Sequence, residues 1–307
     1  MSLQVTLALI LLGAILAPAP VLRVNNERDD DATLLEVGHA ANTAPSKNVP
    51  VLKIISYNIR WRSGDQLQEI IQLFKTDTEI GGGAIIGLQE VDRNKKRTAN
   101  ANTAKLIAEH LGKHYAWAAP PTTKTGDEEE TGVAIISSYP LTDVHRIVLP
   151  HPGPDGRRRV AVGATVKIDR TPIRVYSIHA ETRISVTKKM DQLNSVLQDL
   201  SRYPADMPAI VLGDFNTWQP GSLENTTKLF LKRNFATPFP NDRETFLRRI
   251  LGVPFSLKLD WIWLRGLRAT AHGIDEKICI SDHWPLWTTV GIPAPASAER
   301  QVELVLK

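Results

Sequence analysis

The sequence predicts an α/β protein built on mixed β-sheets covered by helices. Three observations carry this. Short runs of branched apolar residues alternate with segments whose apolar residues recur every three or four positions. Two neighbouring runs, residues 160–168 and 173–178, flank Asp169-Arg170-Thr171-Pro172, which reads as a hairpin and hence as antiparallel pairing. With its atypical ends set aside, the 307-residue chain keeps roughly 245 residues for one domain, enough for a sizeable core.

Taken in order, residues 1–22 come first. Ser2 to Leu22 carry no charged side chain and Leu3 to Ala17 is almost wholly apolar, which predicts an export signal or a membrane anchor. Ala17-Pro18-Ala19 offers a small-x-small cleavage pattern, although Pro20 follows it and no Lys or Arg precedes the apolar run. As a helix, Leu3 to Ala17 would span about 22 Å, short of a ~30 Å hydrocarbon core. Residues 23–48 are polar, with Asp29-Asp30-Asp31, and read as a disordered linker whose acids are solvated.

The folded domain is expected over residues 49–292. Strands are predicted at 51–57, 84–88, 132–137, 160–168, 173–178, 209–212, 259–264 and 284–290. Helices are predicted around Leu67, Ile70, Ile71 and Phe74, around Ala104, Ile107, Ala108 and Leu111, and along Val186, Met190, Leu193, Leu197 and Leu200. Gly81-Gly82-Gly83 precedes a strand instead of joining a strand to a helix, so it reads as a turn and not a phosphate loop. Residues 293–307 read as a tail.

Composition bounds the chemistry. The net charge of +4 permits an anionic partner without requiring one. The single cysteine, Cys279, excludes an internal disulfide and a cysteine-based zinc site, and its place between Ile278 and Ile280 predicts packing as a small hydrophobe. Trp261, Trp263, Trp284 and Trp287 are expected to serve core and rim packing.

Polar groups stand where four apolar strands run out: Asn58, Glu90, His179, and Asp214 with Asn216. Two more sets stand where strands begin, Asp260 and the pair Asp282-His283. If the last two strands oppose the first four, all of these groups reach one rim. Glu90, with Asn58 or Asp282, supplies the oxygen ligands that Mg²⁺ or Mn²⁺ prefers. Asp260 is the natural partner to hold the His283 imidazole in one tautomer, and His179 can meet a phosphate oxygen or protonate a leaving group. Metal, positioned water and imidazole donors together describe in-line attack on a phosphate ester.

Ser56-Tyr57-Asn58-Ile59-Arg60, Leu88-Gln89-Glu90-Val91-Asp92, Gly132-Val133-Ala134-Ile135-Ile136-Ser137, Gly213-Asp214-Phe215-Asn216, Leu259-Asp260-Trp261-Ile262 and Ser281-Asp282-His283 resemble the motifs of the endonuclease/exonuclease/phosphatase superfamily, in that family's order and across residues 51–291. The resemblance implies a two-layer β-sandwich of mixed sheets flanked by helices, a four-layer α/β/β/α fold, and Mg²⁺-dependent phosphoester hydrolysis. It also implies roles. Glu90 binds metal with Asn58 nearby and Asp282 assisting. Asp214 orients or deprotonates the attacking water, which Asn216 helps to hold. Asp260 and His283 form a carboxylate–imidazole pair, and His179 contacts the phosphate. Two positions depart from the pattern: Ser177 stands where many relatives carry Asn, and Glu181 adds a negative charge beside the phosphate site.

Asp214 and Asn216 alone would equally fit a strand-to-loop corner, and Asn58 and Asp282 would fit structural caps. Lys95-Lys96-Arg97 and Arg157-Arg158-Arg159 can be solvated loop faces, or can hold substrate phosphates through Arg97 and Arg159. The expected protein is an exported phosphodiesterase, tethered through residues 3–22 if these are retained, and monomeric. Its expected partner is nucleic acid or a phospholipid head group. A phosphoinositide-type phosphatase or a silent binding module of the same fold are the alternatives.

Overall fold

A computed structural model of the chain describes residues 33–40, 51–121 and 130–292. The expectations for residues 1–22 and 293–307 lie outside the described residues. Two sheets face each other. The first runs in the order β1 (Leu35–Gly38), β4 (His114–Ala118), β5 (Glu130–Ser137), β3 (Ile85–Arg93), β2 (Val51–Asn58), β14 (Leu286–Gly291), β13 (Arg268–Ile274). The second runs β12 (Asp260–Arg265), β9 (Ala209–Asp214), β8 (Thr171–His179), β7 (Val160–Ile168), β6 (Leu141–Val148). A separate two-stranded ribbon, β10 (Phe246–Ile250) and β11 (Val253–Leu257), hangs beside the second sheet.

Both inner faces are apolar, so the sheets bury them against each other. Ile54, Ile85, Val133 and Ile135 from one sheet form a single cluster with Val162, Val175, Ile210, Leu212 and Ile262 from the other. The outer faces are also apolar and take helices. The predicted stripe Leu67, Ile70, Ile71 and Phe74 is the buried face of α1 (Gly64–Thr76), which packs with α2 (Thr103–Leu111) on the first sheet. On the second sheet, α3 (Val186–Leu200) and α4 (Ser222–Leu231) cover a ladder of stacked rings, with Phe230 and Trp263 centroids 4.8 Å apart and those of Trp261 and Trp263 5.2 Å apart. Four layers, α/β/β/α, result, as the resemblance implied.

Register decides what reaches the rim. β8 and β9 run parallel with His179 level with Asp214, and β12 runs antiparallel to β9 with Asp260 level with the same residue. β2 and β3 run parallel with Asn58 level with Gln89, and β14 opposes β2. The last two motif strands therefore oppose the first four.

Three expectations need correction. Within the presumed linker, Leu35–Gly38 is an edge strand on β4, because Leu34 is buried and a hydrogen-bonding partner edge is available. Residues 23–32 and 41–48 of that segment are outside the described residues. Cys279 is exposed, with Sγ 3.7 Å from the Glu276 carbonyl, because its loop lies on the surface and neighbouring Ile278 takes the buried position. Several elements carried no strand or helix expectation: β4, β6, β13, the ribbon and α4.

Candidate active site

Two backbone devices aim the site. Gly213 has φ of 134°, and a Cβ there would lie 2.0 Å from the Ile178 carbonyl oxygen, so only glycine lets β9 run this close to β8 before releasing Asp214. Glu90 is the extra residue of a β-bulge between Gln89 and Val91, with φ of 55°. The bulge turns its carboxylate out of the ladder and into the cleft.

Asp214 is the hub. Its Oδ2 accepts a hydrogen bond from Asn58 Nδ2 at 3.1 Å and lies 3.5 Å from His179 Nε2 and 3.8 Å from His283 Nε2. Its Oδ1 accepts the Asn216 backbone N–H at 2.9 Å, the Asx-type turn expected of such a corner, here placed inside the site. Asn216, at φ of 53°, donates its Nδ2 to the Ala180 carbonyl at 2.9 Å, which ties the turn to the end of β8. His283 Nδ1 is 2.8 Å from Asp260 Oδ2, the pairing read from the sequence. Thr245, which no motif marked, donates its hydroxyl to the same oxygen at 2.7 Å and accepts the backbone N–H groups of Leu259 and Asp260. Phe246 covers the imidazole edge-on, with centroids 5.0 Å apart.

Burial and neighbouring charges set the protonation states. Burial alone would lower the His283 imidazolium, but the carboxylates of Asp260 and Asp214 outweigh it and raise its pKa to about 10. Burial pushes the Asp214 carboxyl up to about 7, with Asp260 and Glu90 adding to the rise and His283 opposing it. His179 is held well below the ordinary histidine value by burial and then by the charges of Arg159, His283 and Lys189, so it is neutral at pH 7.

A testable consequence follows for stability. Below pH 6.5 the unfolded chain protonates His179 while the native chain does not, so this residue makes stability fall as the medium is acidified. The melting temperature of His179→Gln is expected to fall less than that of the parent between pH 7 and pH 5. Parallel curves would show that His179 is not held neutral.

The oxygen donors lie on the first sheet's side of the cleft. The Glu90 carboxylate accepts one hydrogen bond among the described residues, from Asn58 Nδ2 at 3.4 Å, and it lines the cleft. Asp282 is paired with Arg60 at 2.9 Å. Asn58 Oδ1 accepts the Arg60 backbone N–H at 3.0 Å, so the amide presents its nitrogen to the two carboxylates. An under-coordinated, half-buried carboxylate beside a second one fits a hard divalent cation, with Glu90 and Asp282 as its holders and Asn58 as the group orienting Glu90. Asp214, Asp260 and His283 also offer ligand atoms within 4.8 Å of one another. Asp260 Oδ2 and His283 Nδ1 are already hydrogen-bonded to each other, however, so this trio is wired as a proton relay.

The two loop arginines, Arg97 and Arg159, line the same cleft. Arg97 is forked onto buried Asp92 at 2.6 and 2.9 Å and stacks over Trp61 at 4.4 Å. Arg159 is ion-paired with buried Glu181 at 2.9 Å. The extra negative charge expected from Glu181 is thus neutralised, because Arg159 at the start of β7 lies beside it. Ser177 links the sheets, accepting from Gln89 Nε2 at 3.1 Å and donating to the Leu88 carbonyl at 3.2 Å. Lys189, fully buried on α3, donates to the Asn216 carbonyl behind the turn. It lies on the apolar stripe of that helix, so a charge at a core-facing position was the available signal.

A two-sheet sandwich with carboxylates, amides and imidazoles converging from strand ends on one rim defines a hydrolase of the phosphoesterase type. The chain matches the Endonuclease/Exonuclease/phosphatase family over residues 55–283 and belongs to it. Members of this family depend on divalent metal ions. Among solved structures, an endonuclease/exonuclease/phosphatase from Beutenbergia cavernae is similar at 15% identity and a TM-score of 0.61, over 81% of this chain and 74% of that one. D. rerio TDP2 complexed with single-strand DNA product is similar at 17% identity and a TM-score of 0.60, over 79% and 99% of the two chains. The human Nocturnin catalytic domain with bound sulfate is similar at 17% identity and a TM-score of 0.59, over 84% and 97%. No curated protein matches the chain in sequence.

Proposed function

We propose that the protein is a Mg²⁺-dependent phosphodiesterase, with Mn²⁺ as an alternative ion, acting on nucleic acid or phospholipid head groups outside the cytoplasm. The observation that carries this reading is the level alignment of His179, Asp214 and Asp260 on adjacent strands, with the Glu90 carboxylate lining the same cleft. When bound, the cation polarises the phosphoryl oxygens and neutralises their charge. Water, held by Asp214 and Asn216, attacks phosphorus in line with the leaving alcohol. Asp214 takes the water proton, for which a carboxyl titrating near neutrality is suited. A new P–O bond forms, the bond to the alcohol breaks, and the departing oxygen takes a proton from the His283 relay or solvent. Protonated His283 and neutral His179 donate N–H groups to the phosphoryl oxygens, and Asp260 with Thr245 fixes the His283 ring. An intact relay speaks against a silent binding module, which has no need of a paired, protonated imidazole.

The test incubates purified full-length protein with plasmid DNA, RNA, sphingomyelin, phosphoinositides and bis(p-nitrophenyl) phosphate, with and without EDTA. At least one substrate is expected to be cleaved, with activity lost in EDTA and restored by Mg²⁺. Cleavage of none, or cleavage indifferent to EDTA, refutes the reading, and release of inorganic phosphate from phosphoinositides alone favours the phosphatase alternative. Export is proposed on the apolar residues 3–17. No helix among the described residues is long and apolar enough to cross a membrane. A reporter fused after residue 40 that is active only outside the cytoplasm supports export, and cytoplasmic activity contradicts it.

A further inference from the structure

Among the described residues, two arms that leave the catalytic centre have walls that differ in kind. Trp61, Glu90, Arg159 and His179 line both. One arm, about 340 Å³, runs between the loops that follow β3 and precede β7, and Lys95, Arg97, Arg157 and Arg158 join Arg159 along it. Among the described residues, Glu130 is the other carboxylate lining this arm besides Glu90, and Arg93 pairs with it at 2.7 Å. The other arm, about 330 Å³, runs under the β10–β11 ribbon and is walled by Trp218, Phe246, Phe255, Leu257 and Leu259. Among the described residues lining it, Thr182, Arg248 and Arg60, the last held on Asp282 at 2.9 Å, add polar side chains to the centre's own groups.

The basic arm is also rigid. Asp92 and Glu181, both buried, fix the guanidinium groups of Arg97 and Arg159, and the Trp61 ring backs Arg97. Guanidinium groups held at the walls before binding lose little entropy when a phosphate arrives. The ribbon arm is anchored differently, by main-chain bonds from Leu247 to Asp282 at 2.8 Å and from Trp284 to Thr245 at 2.8 Å, which seat Phe246 on the catalytic histidine. Half-buried ring faces lining the arm select a flat or apolar group.

We infer that the substrate is two-sided: a phosphate ester with a second phosphate group on one side of the scissile phosphorus and a ring-bearing or apolar group on the other. This rests on the phosphodiesterase reading and adds the substrate class to it. A nucleotide end and a phosphorylated inositol lipid both have this chemistry, so both are tested as pairs that differ by one phosphate.

The experiment compares full-length protein in Mg²⁺ on thymidine 5′-(p-nitrophenyl phosphate) with and without a 3′-phosphate, and on short-chain phosphatidylinositol with and without a 4-phosphate. Bis(p-nitrophenyl) phosphate serves as the plain diester. The added phosphate is expected to lower KM about tenfold in at least one pair, a gain that Arg157→Ala cuts to about twofold or less. Phe255→Ala is expected to raise KM for the p-nitrophenyl ester about tenfold while moving that of the corresponding methyl ester less than about twofold. If the plain diester is cleaved but the added phosphate brings no gain in either pair, or Arg157→Ala keeps the gain, the two-sided substrate is wrong and the phosphodiesterase reading stands. If the plain diester and both pairs resist cleavage, that reading fails with it.

Discussion

Asp214→Asn is expected to lower kcat by about 10²- to 10⁴-fold, the range for loss of a positioned proton acceptor, with little change in KM. The substitution keeps the shape of the turn. Its amide oxygen can still accept the Asn216 N–H at the Oδ1 position, while the amide nitrogen then takes the place of Oδ2 and faces the Asn58 Nδ2 donor, so one hydrogen bond is lost. What is lost is a buried carboxyl whose pKa, raised to about 7, lets it take a proton from water and give it back near neutral pH. An unchanged melting temperature would assign the loss to chemistry. A variant within about threefold of the parent would remove Asp214 from the mechanism.

His283→Ala is expected to cost a similar factor in kcat and to cost stability with a marked pH dependence. The folded-state pKa of His283 is raised above the ordinary value of 6.5 to about 10, so its contribution is fully present below pH 6.5 and fades as pH rises towards 10. The gap in melting temperature between parent and variant should therefore be widest near pH 6 and narrow steadily from about pH 7 towards pH 10. A gap that widens with pH would mean that the buried imidazole is neutral and that Asp260 is not its charge partner.

Much of this site was legible because its residues lie at strand ends. A polar residue after a run such as Val175-Tyr176-Ser177-Ile178 has nowhere to go but the rim, and parallel pairing then sets His179 level with Asp214. The opposed direction of β12 and β14 followed from their polar residues lying at the start of each run. What could not be read was whatever depends on an irregular backbone or a distant partner. The strand expected to stop at Leu88 continues to Arg93, because a bulge absorbs Glu90 and restarts the ladder. Leu35–Gly38 is only four residues long in a polar stretch, and it pairs with a strand nearly eighty positions on. The ribbon residues 246–257 mix arginines with apolar groups and show no clean alternation, since one face lines a cleft and the tip is exposed, Leu251 at 90%. Thr245 on Asp260 and Arg60 on Asp282 are pairings across loops that no local pattern encodes.

The central claim is that residues from separate strand ends act as one catalytic unit on a phosphate ester. The most direct measurement is kcat for bis(p-nitrophenyl) phosphate in the parent, Asp214→Asn, His283→Ala and the double variant. If proton transfer and phosphate stabilisation form one relay, the double variant should fall no further than the worse single variant, because either change already disables the unit. Losses that multiply in the double variant would show two independent groups and contradict the account.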